Sequence, residues 1–360
     1  MSKFHITHHV KYCRIAKSIA LVFALAVAIA ITPSTSVRAS IINVPADQPT
    51  IQAGVNAAVN GDTVMVAQGT YTGDGNRDID FAGKSIVLRA ISNLLATTID
   101  CQGTTSEYHR AFYLHTGEDS TTVIDGFTIT GAYDSTGAVY CHGTGVKLVH
   151  CTIIGNSVSG VRHVPVGSTW KWMVVDGCTI TNNTGDGIYV TGGLVMRNCT
   201  ISHNSGNGLY AKEPSSNSNV SHSIFANNGL AGMGGSSFSG YMAWVTNCTF
   251  VGNTDGLACI VDLPIGRAPQ LTARVQNCIM AFNTNRGYAC GGYVNPGVVC
   301  SDAFGNGGKN WNTFNSVPPG GDSLGNKSLD PLFCERAVGN LSLMDASPCS
   351  AANNGCGSLI

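Results

Sequence analysis

The chain has 360 residues, a formal net charge of −1 and only 11% charged residues, with 44 glycines. A balance so near neutrality argues against a nucleic acid or an anionic membrane as partner, because either draws on a basic excess. Few charges with many glycines favour short strands and tight turns over charged surface helices.

The first 39 residues read as an export signal. Lys3, Lys11, Arg14 and Lys17 precede an apolar run over 19–31 and then TPSTSVRAS, a Val-x-Ala cleavage signal ending at Ala39. The apolar run falls short of the ~20 residues a spanning helix needs. The mature chain is expected to begin near Ser40, with an uncleaved anchor as the alternative. The expected location is periplasmic, at the outer surface or extracellular, without membrane contact after cleavage.

Next, TIQAGVNAAV over 50–59 has a helix N-cap in Thr50 and apolar residues at Ile51, Val55, Ala58 and Val59. It is expected to lie across the first coil and cover an open strand edge. GDTVMVAQGTY, KSIVLRA, TTIDCQG, AFYLHTG and TVIDGFTITG then read as short strands of the following coils.

From Cys151 onward one pattern recurs. Cys151, Cys178, Cys199, Ser223, Cys248 and Cys278 are each followed five residues later by Asn156, Asn183, Asn204, Asn228, Asn253 and Asn283. Gly160, Gly187, Gly208, Gly232, Gly256 and Gly287 come next, each preceding a large or apolar residue. The steps between units are 27, 21, 24, 25 and 30 residues. Each unit reads as two short strands, as in MRNCTI followed by GLYA, and no stretch has helical periodicity. So small a unit cannot bury its own apolar face, so the units must stack. Parallel stacking at ~4.8 Å puts Cys over Cys and Asn over Asn, with the turn amides bonded from coil to coil. The fold class is all-β, a solenoid of parallel strands with a helical N-terminal cap and a Cys-containing C-terminal cap.

Export changes how the 14 cysteines are read. Cys13 leaves with the signal. The ladder cysteines would carry parallel Cα–Cβ vectors, which disfavours disulfides, so buried thiols are expected. Cys259 and Cys290 fall at one coil position and suggest a second short stack. Cys300, Cys334, Cys349 and Cys356 crowd the C-terminal end, where two disulfides of open pairing would close the solenoid. His115, His142, His150, His163, His203 and His222 read as scattered over different coil positions, and no metal site is expected.

VPADQPTIQAGVNAAVNGDTVMVAQGTYTG, GKSIVLRA, the NCTI coils and LDPLFC…SPCS together resemble secreted bacterial right-handed parallel β-helix repeat proteins of the pectin-lyase-like superfamily. The resemblance covers 42–360. It implies one right-handed parallel β-helix domain over 40–360, with regular coils about 122–290 and a cap about 300–360. It also implies a polysaccharide or cell-surface glycan as partner. The architecture carries lyases, hydrolases, esterases, epimerases and plain scaffolds alike, so function has to be argued from the site.

Polygalacturonases begin their motif with Asn-Thr-Asp, matched here by Asn253, Thr254 and Asp255, but the later paired Asp, Gly-His-Gly and Arg-x-Lys have no counterpart. Inverting hydrolysis needs two facing carboxylates. Asp186 and Asp255 are expected three coil spacings apart, roughly 14 Å. Pectate lyases need clustered Asp for Ca²⁺ and an Arg or Lys base. RAPQLTAR supplies Arg267 and Arg274 with two residues too many between Pro269 and Arg274, and WMVVDG around Asp176 is a distant echo of a second element. Asp176, Asp186, Asp255, Arg162 and Arg267 are therefore the candidate catalytic residues of a divergent lyase or hydrolase, with Ca²⁺ as cofactor only in that case.

The residue two after each repeat glycine is expected to point outward: Arg162, Tyr189, Tyr210, Gly234, Ala258 and Ala289. Arg162, Tyr189 and Tyr210 would form an aromatic and basic stripe able to stack on sugars and pair with a uronate. HVPVGSTWKWM places Trp170 and Trp172 in a loop expected beside that stripe. The favoured reading is an exported surface protein that binds or displays carbohydrate without cleaving it. A divergent polysaccharide lyase or glycoside hydrolase is the first alternative, and a pure scaffold or adhesin the second.

Overall fold

The computed structural model describes residues 38–91, 97–167, 171–212, 218–236, 242–259, 272–290, 297–312 and 324–357. Trp170, Arg267, Cys13 and the export signal up to Val37 lie outside them.

The alternation of apolar and polar residues produces strands of two to six residues, and each regular coil contributes one to each of three parallel sheets. In one such coil Lys147–Val149 lies in the first sheet, Thr152–Ile154 in the second and Ser159–Val164 in the third. The chain then re-enters the first sheet at Trp172–Asp176. Among the described residues the sheets hold 11, 10 and 9 strands, each strand paired in parallel with its counterpart one coil away. The result is a right-handed parallel β-solenoid. Equivalent inward residues fall in register, as in the row Ile153, Ile180, Ile201, Phe225, Phe250, Met280 and Ala303. All seven are fully buried, and the Phe225 and Phe250 rings stack at 4.8 Å.

Three strands per coil correct the two read from sequence. MRNCTI is not one strand. Its first half closes Gly193–Arg197 in the first sheet and its second half opens Thr200–Ser202 in the second. Asn198, with φ 57°, makes the bend between them. The same position is left-handed in successive coils at His150, Gly177, Asn198, His222, Asn247 and Asn277. Asn and Gly tolerate that conformation better than other residues. A second left-handed row, Gly155, Asn182, His203, Asn227 and Gly252, immediately precedes the ladder asparagines. The histidines are thus not scattered: His150 and His222 share one bend, and His203 occupies the other.

Each ladder Asn is buried, and its Nδ2 donates to the Oδ1 of the next rung at 2.9–3.2 Å from Asn156 through Asn283. The ladder continues past the repeat through Asn306 to Asn310. Each Nδ2 also donates to a main-chain carbonyl one coil back, as Asn204 does to Ile180 O at 3.1 Å. The glycine after each rung follows from crowding. A Cβ on Gly208 would lie 2.5 Å from Gly232 O and 2.9 Å from Asn228 Nδ2.

The ladder cysteines are buried free thiols. Each donates to the carbonyl two residues upstream, as in Cys199 Sγ to Arg197 O at 3.1 Å. Ser223 makes the same bond through its hydroxyl at 2.8 Å, and Ser301 extends the row at 3.1 Å. A small side chain with one donor suits this corner, which is why Cys and Ser interchange there. Cys259 and Cys290 are register partners.

At the N-terminal end the helix Ile51–Ala57 is capped by Thr50 Oγ1, which accepts from Ala53 N. Its buried side packs on the first coils, where a Cβ on Gly54 would meet Val44 and Val64 at 2.8 and 2.9 Å. At the other end Cys300 and Cys356 form a disulfide. The two disulfides expected there reduce to this one. Cys349 is instead buried as a thiol donating to Asp302 Oδ2 at 3.7 Å, and Cys334 is exposed on the hairpin strand Phe333–Glu335.

Candidate ligand-binding face

The third sheet carries the most ordered display of polar and aromatic side chains. Because Val161, Ile188 and Leu209 point inward and are fully buried, their successors Arg162, Tyr189 and Tyr210 face out. The register extends the row in the opposite direction: Tyr113 pairs with Tyr140, Tyr140 with Arg162, Arg162 with Tyr189, and Tyr189 with Tyr210. Five half-buried side chains therefore follow one another at the strand spacing of ~4.8 Å.

Ring geometry decides what this row offers a ligand. Tyr113 and Tyr140 stack with centroids 5.5 Å apart and planes 6° from parallel, and Tyr189 and Tyr210 stack at 5.5 Å and 28°. The Arg162 guanidinium lies 4.3 Å from the Tyr189 centroid. Rings stacked from coil to coil stand on edge, with their faces against one another. What faces outward is edge and hydroxyl, so the row offers hydrogen bonds, not the sugar-stacking platform expected from the sequence. Burial raises the Tyr140 hydroxyl above its usual range, which keeps it a neutral donor.

Cations are placed along the row. Arg110 is ion-paired with buried Asp134, and its guanidinium lies 4.9 and 5.5 Å from the Tyr113 and Tyr140 centroids. Arg162 makes no ion pair among the described residues, and its buried Nε has no hydrogen-bond partner among them. Two residues further along the chain in each case, the His115 ring stacks on Tyr113 at 4.1 Å and His142 lies 5.7 Å from Tyr140. Tyr113, Tyr140 and Arg110 escaped the sequence reading because their coils lack the Cys-to-Asn spacing, and His115 and His142, read there as scattered, in fact share one position beside the row. The matching runs AFYLH and AVYCH were the available signal.

The row stops at Tyr210. Gly234, Ala258 and Ala289 continue the register, but Ala258 and Ala289 are buried in a small cluster with Ala231 and do not stand out from the sheet as expected.

The candidate catalytic carboxylates are not brought together. Asp176 ends a strand of the first sheet, where Arg197 Nε and Nη2 donate to it at 2.8 and 2.7 Å and Asn198 Nδ2 at 3.0 Å. The Arg197 hydrogen bond chiefly holds its carboxyl below the usual range. Asp186 Oδ1 accepts from Asn207 N at 2.7 Å and Nδ2 at 2.9 Å, which ties two coils together. Asp255 receives Arg286 through two bonds of 3.0 and 2.7 Å. Among the described residues no three His, Cys, Asp or Glu side chains converge as a cation site would require. Trp172 also departs from expectation. It opens a strand of the first sheet opposite Gly193, 37% exposed, while the tyrosines occupy the third.

A family model described as "Right handed beta helix region" matches residues 111–263 and 166–328, together more than half of the chain. No curated protein matches. Among solved structures, the pectate lyase Pel9A is similar over 86% of this chain and 90% of its own, with 14% identity and a TM-score of 0.50. The A-module of mannuronan C-5 epimerase AlgE6 from Azotobacter vinelandii is similar over 78% of this chain and 92% of its own, with 14% identity and a TM-score of 0.38. At 14% identity the likeness to Pel9A is one of fold alone.

Proposed function

The chain belongs to the right-handed β-helix family, and on that premise we propose that the outer face of its third sheet binds an extended polysaccharide without cleaving it. The observation that carries this reading is the in-register row Tyr113, Tyr140, Arg162, Tyr189 and Tyr210. A polymer laid across the strands meets a hydroxyl or guanidinium donor at each of these five coils, and repetition along a chain multiplies weak contacts. Arg162, flanked by tyrosines and without an ion pair among the described residues, suits a carboxylate on that polymer. The absence of cleavage is supported by Asp176, Asp186 and Asp255, each already engaged by Arg or Asn and none facing another.

The test is one panel: polygalacturonate, alginate and neutral glycans, with and without Ca²⁺, scored for binding and for new reducing or unsaturated ends. The expected result is binding without new ends, weakened about tenfold or more by Tyr140→Ala combined with Arg162→Ala. Turnover that survives repurification and disappears in Asp186→Ala or Asp255→Ala replaces this reading with a divergent lyase or hydrolase. No binding to any glycan leaves a scaffold.

A further inference from the structure

We infer that the functional chain begins at Ser40, and that Asp62 is placed to receive the α-ammonium created by cleavage between Ala39 and Ser40. This inference is independent of the glycan-binding face.

Asp62 is an unusual carboxylate. It is 2% exposed, and no cationic side chain pairs with it among the described residues. Burying a carboxylate without a counter-charge is costly, and such groups are ordinarily paired. Its oxygens accept Val59 N to Oδ2 at 2.8 Å and Ser40 N to Oδ1 at 2.8 Å, and the Ser40 side chain adds a further hydrogen bond, so every donor is neutral. Those bonds, the one from Val59 first, hold its carboxyl below the usual range, so it stays ionised. Among the described residues no counter-charge stands beside it, and one of the donors is the nitrogen that cleavage before Ser40 would turn into an amine.

The backbone fixes that nitrogen in place. Thr63 N donates to Ser40 O at 2.9 Å, and Ile41 pairs with Thr63 one residue on, so Ser40 stands beside Asp62 at the start of the first sheet's ladder. Ala39–Ile360 forms one compact unit, and the Val37-Arg38-Ala39 sequence presents the small residues that a leader peptidase accepts. The step itself is hydrolysis. Water adds across the Ala39–Ser40 amide, Ala39 departs with the new carboxylate, and the Ser40 amine takes up a proton. One neutral N–H contact becomes a charge-assisted one on a buried carboxylate.

Expression of the full chain in an export-competent cell tests both halves. N-terminal sequencing of the exported product is expected to read Ser-Ile-Ile-Asn-Val. A retained leader, or a start at any other residue, overturns the cleavage position. Acylation of the α-amine near pH 6.5, more than a unit below its ordinary pKa, then tests the ion pair, because there each unit of raised amine pKa slows the reaction about tenfold. The wild-type product is expected to react about tenfold more slowly than Asp62→Asn. Because Asp62→Asn also weakens folding contacts, a product with one glycine inserted before Ser40 provides the control, since it keeps Asp62 but moves the amine away. It too is expected to react at the ordinary rate. Equal rates in wild type and the inserted product overturn the ion pair.

Discussion

His163 and Asp302 are ionisable side chains closed off from solvent, and they pull stability in opposite directions as pH changes. His163 is fully buried, with Nε2–H donating to Thr144 O at 2.9 Å and Nδ1 without a partner among the described residues. Burial pushes its pKa down from 6.5 to about 4. The unfolded chain takes up a proton throughout that window and the folded chain does not, so stability is lost as pH falls through it, by about 3 kcal/mol in full. Burial pushes Asp302 up from 3.8 to about 6. Here the folded state holds the proton, so stability is present below pH 3.8 and lost as pH rises through 6, again by about 3 kcal/mol. Their effects nearly cancel between about pH 4 and 6. Relative to wild type, His163→Gln is therefore expected to gain stability on acidification and Asp302→Asn to lose it, measured by urea unfolding at several pH values. Parallel pH profiles for all three proteins would refute this assignment.

The asparagine ladder is costly to break at any inner rung, because each buried amide serves several partners. Asn204 Oδ1 accepts from Asn183 N and Nδ2, while its own Nδ2 serves Asn228 Oδ1 and Ile180 O. Asn204→Ala leaves several of these buried groups without partners and is expected to cost about 4 kcal/mol. Asn310→Ala, at the ladder's end, removes only an acceptor for Asn306 and is expected to cost about 1 kcal/mol. Comparable losses in chemical unfolding would mean that the rungs do not depend on one another. This ladder was legible in the sequence because a side chain with one required hydrogen-bond pattern recurs at one coil position. The binding face was legible only in part. Tyr189 and Tyr210 follow the Asn–Gly spacing, whereas Tyr113 and Tyr140 belong to coils without it and are tied to the row only by strand register. The placement of Trp172 misled for a related reason: MRNCTI-type runs conceal a left-handed corner, and with it a third sheet in each coil.

Across the whole molecule, stability is built coil upon coil, so damage should stay near its source. The Cys300–Cys356 disulfide closes a separation of 56 residues at the C-terminal end. Loop-closure entropy alone assigns it about 4 kcal/mol. Cys300→Ser with Cys356→Ser is expected to raise hydrogen exchange in the last coils and leave the coils around Asn156 and Asn183 protected. Uniform deprotection would instead indicate a single cooperative unit. The same in-register stacking makes the third sheet's row a surface that repeats over five successive coils, long enough to hold one extended chain. Radical footprinting with saturating polygalacturonate tests it most directly. Binding along the third sheet predicts reduced oxidation of Tyr113, Tyr140, Tyr189 and Tyr210, with Trp172 and Trp244 of the first sheet unchanged. Protection of Trp172 and Trp244 with the tyrosines unaffected would contradict it.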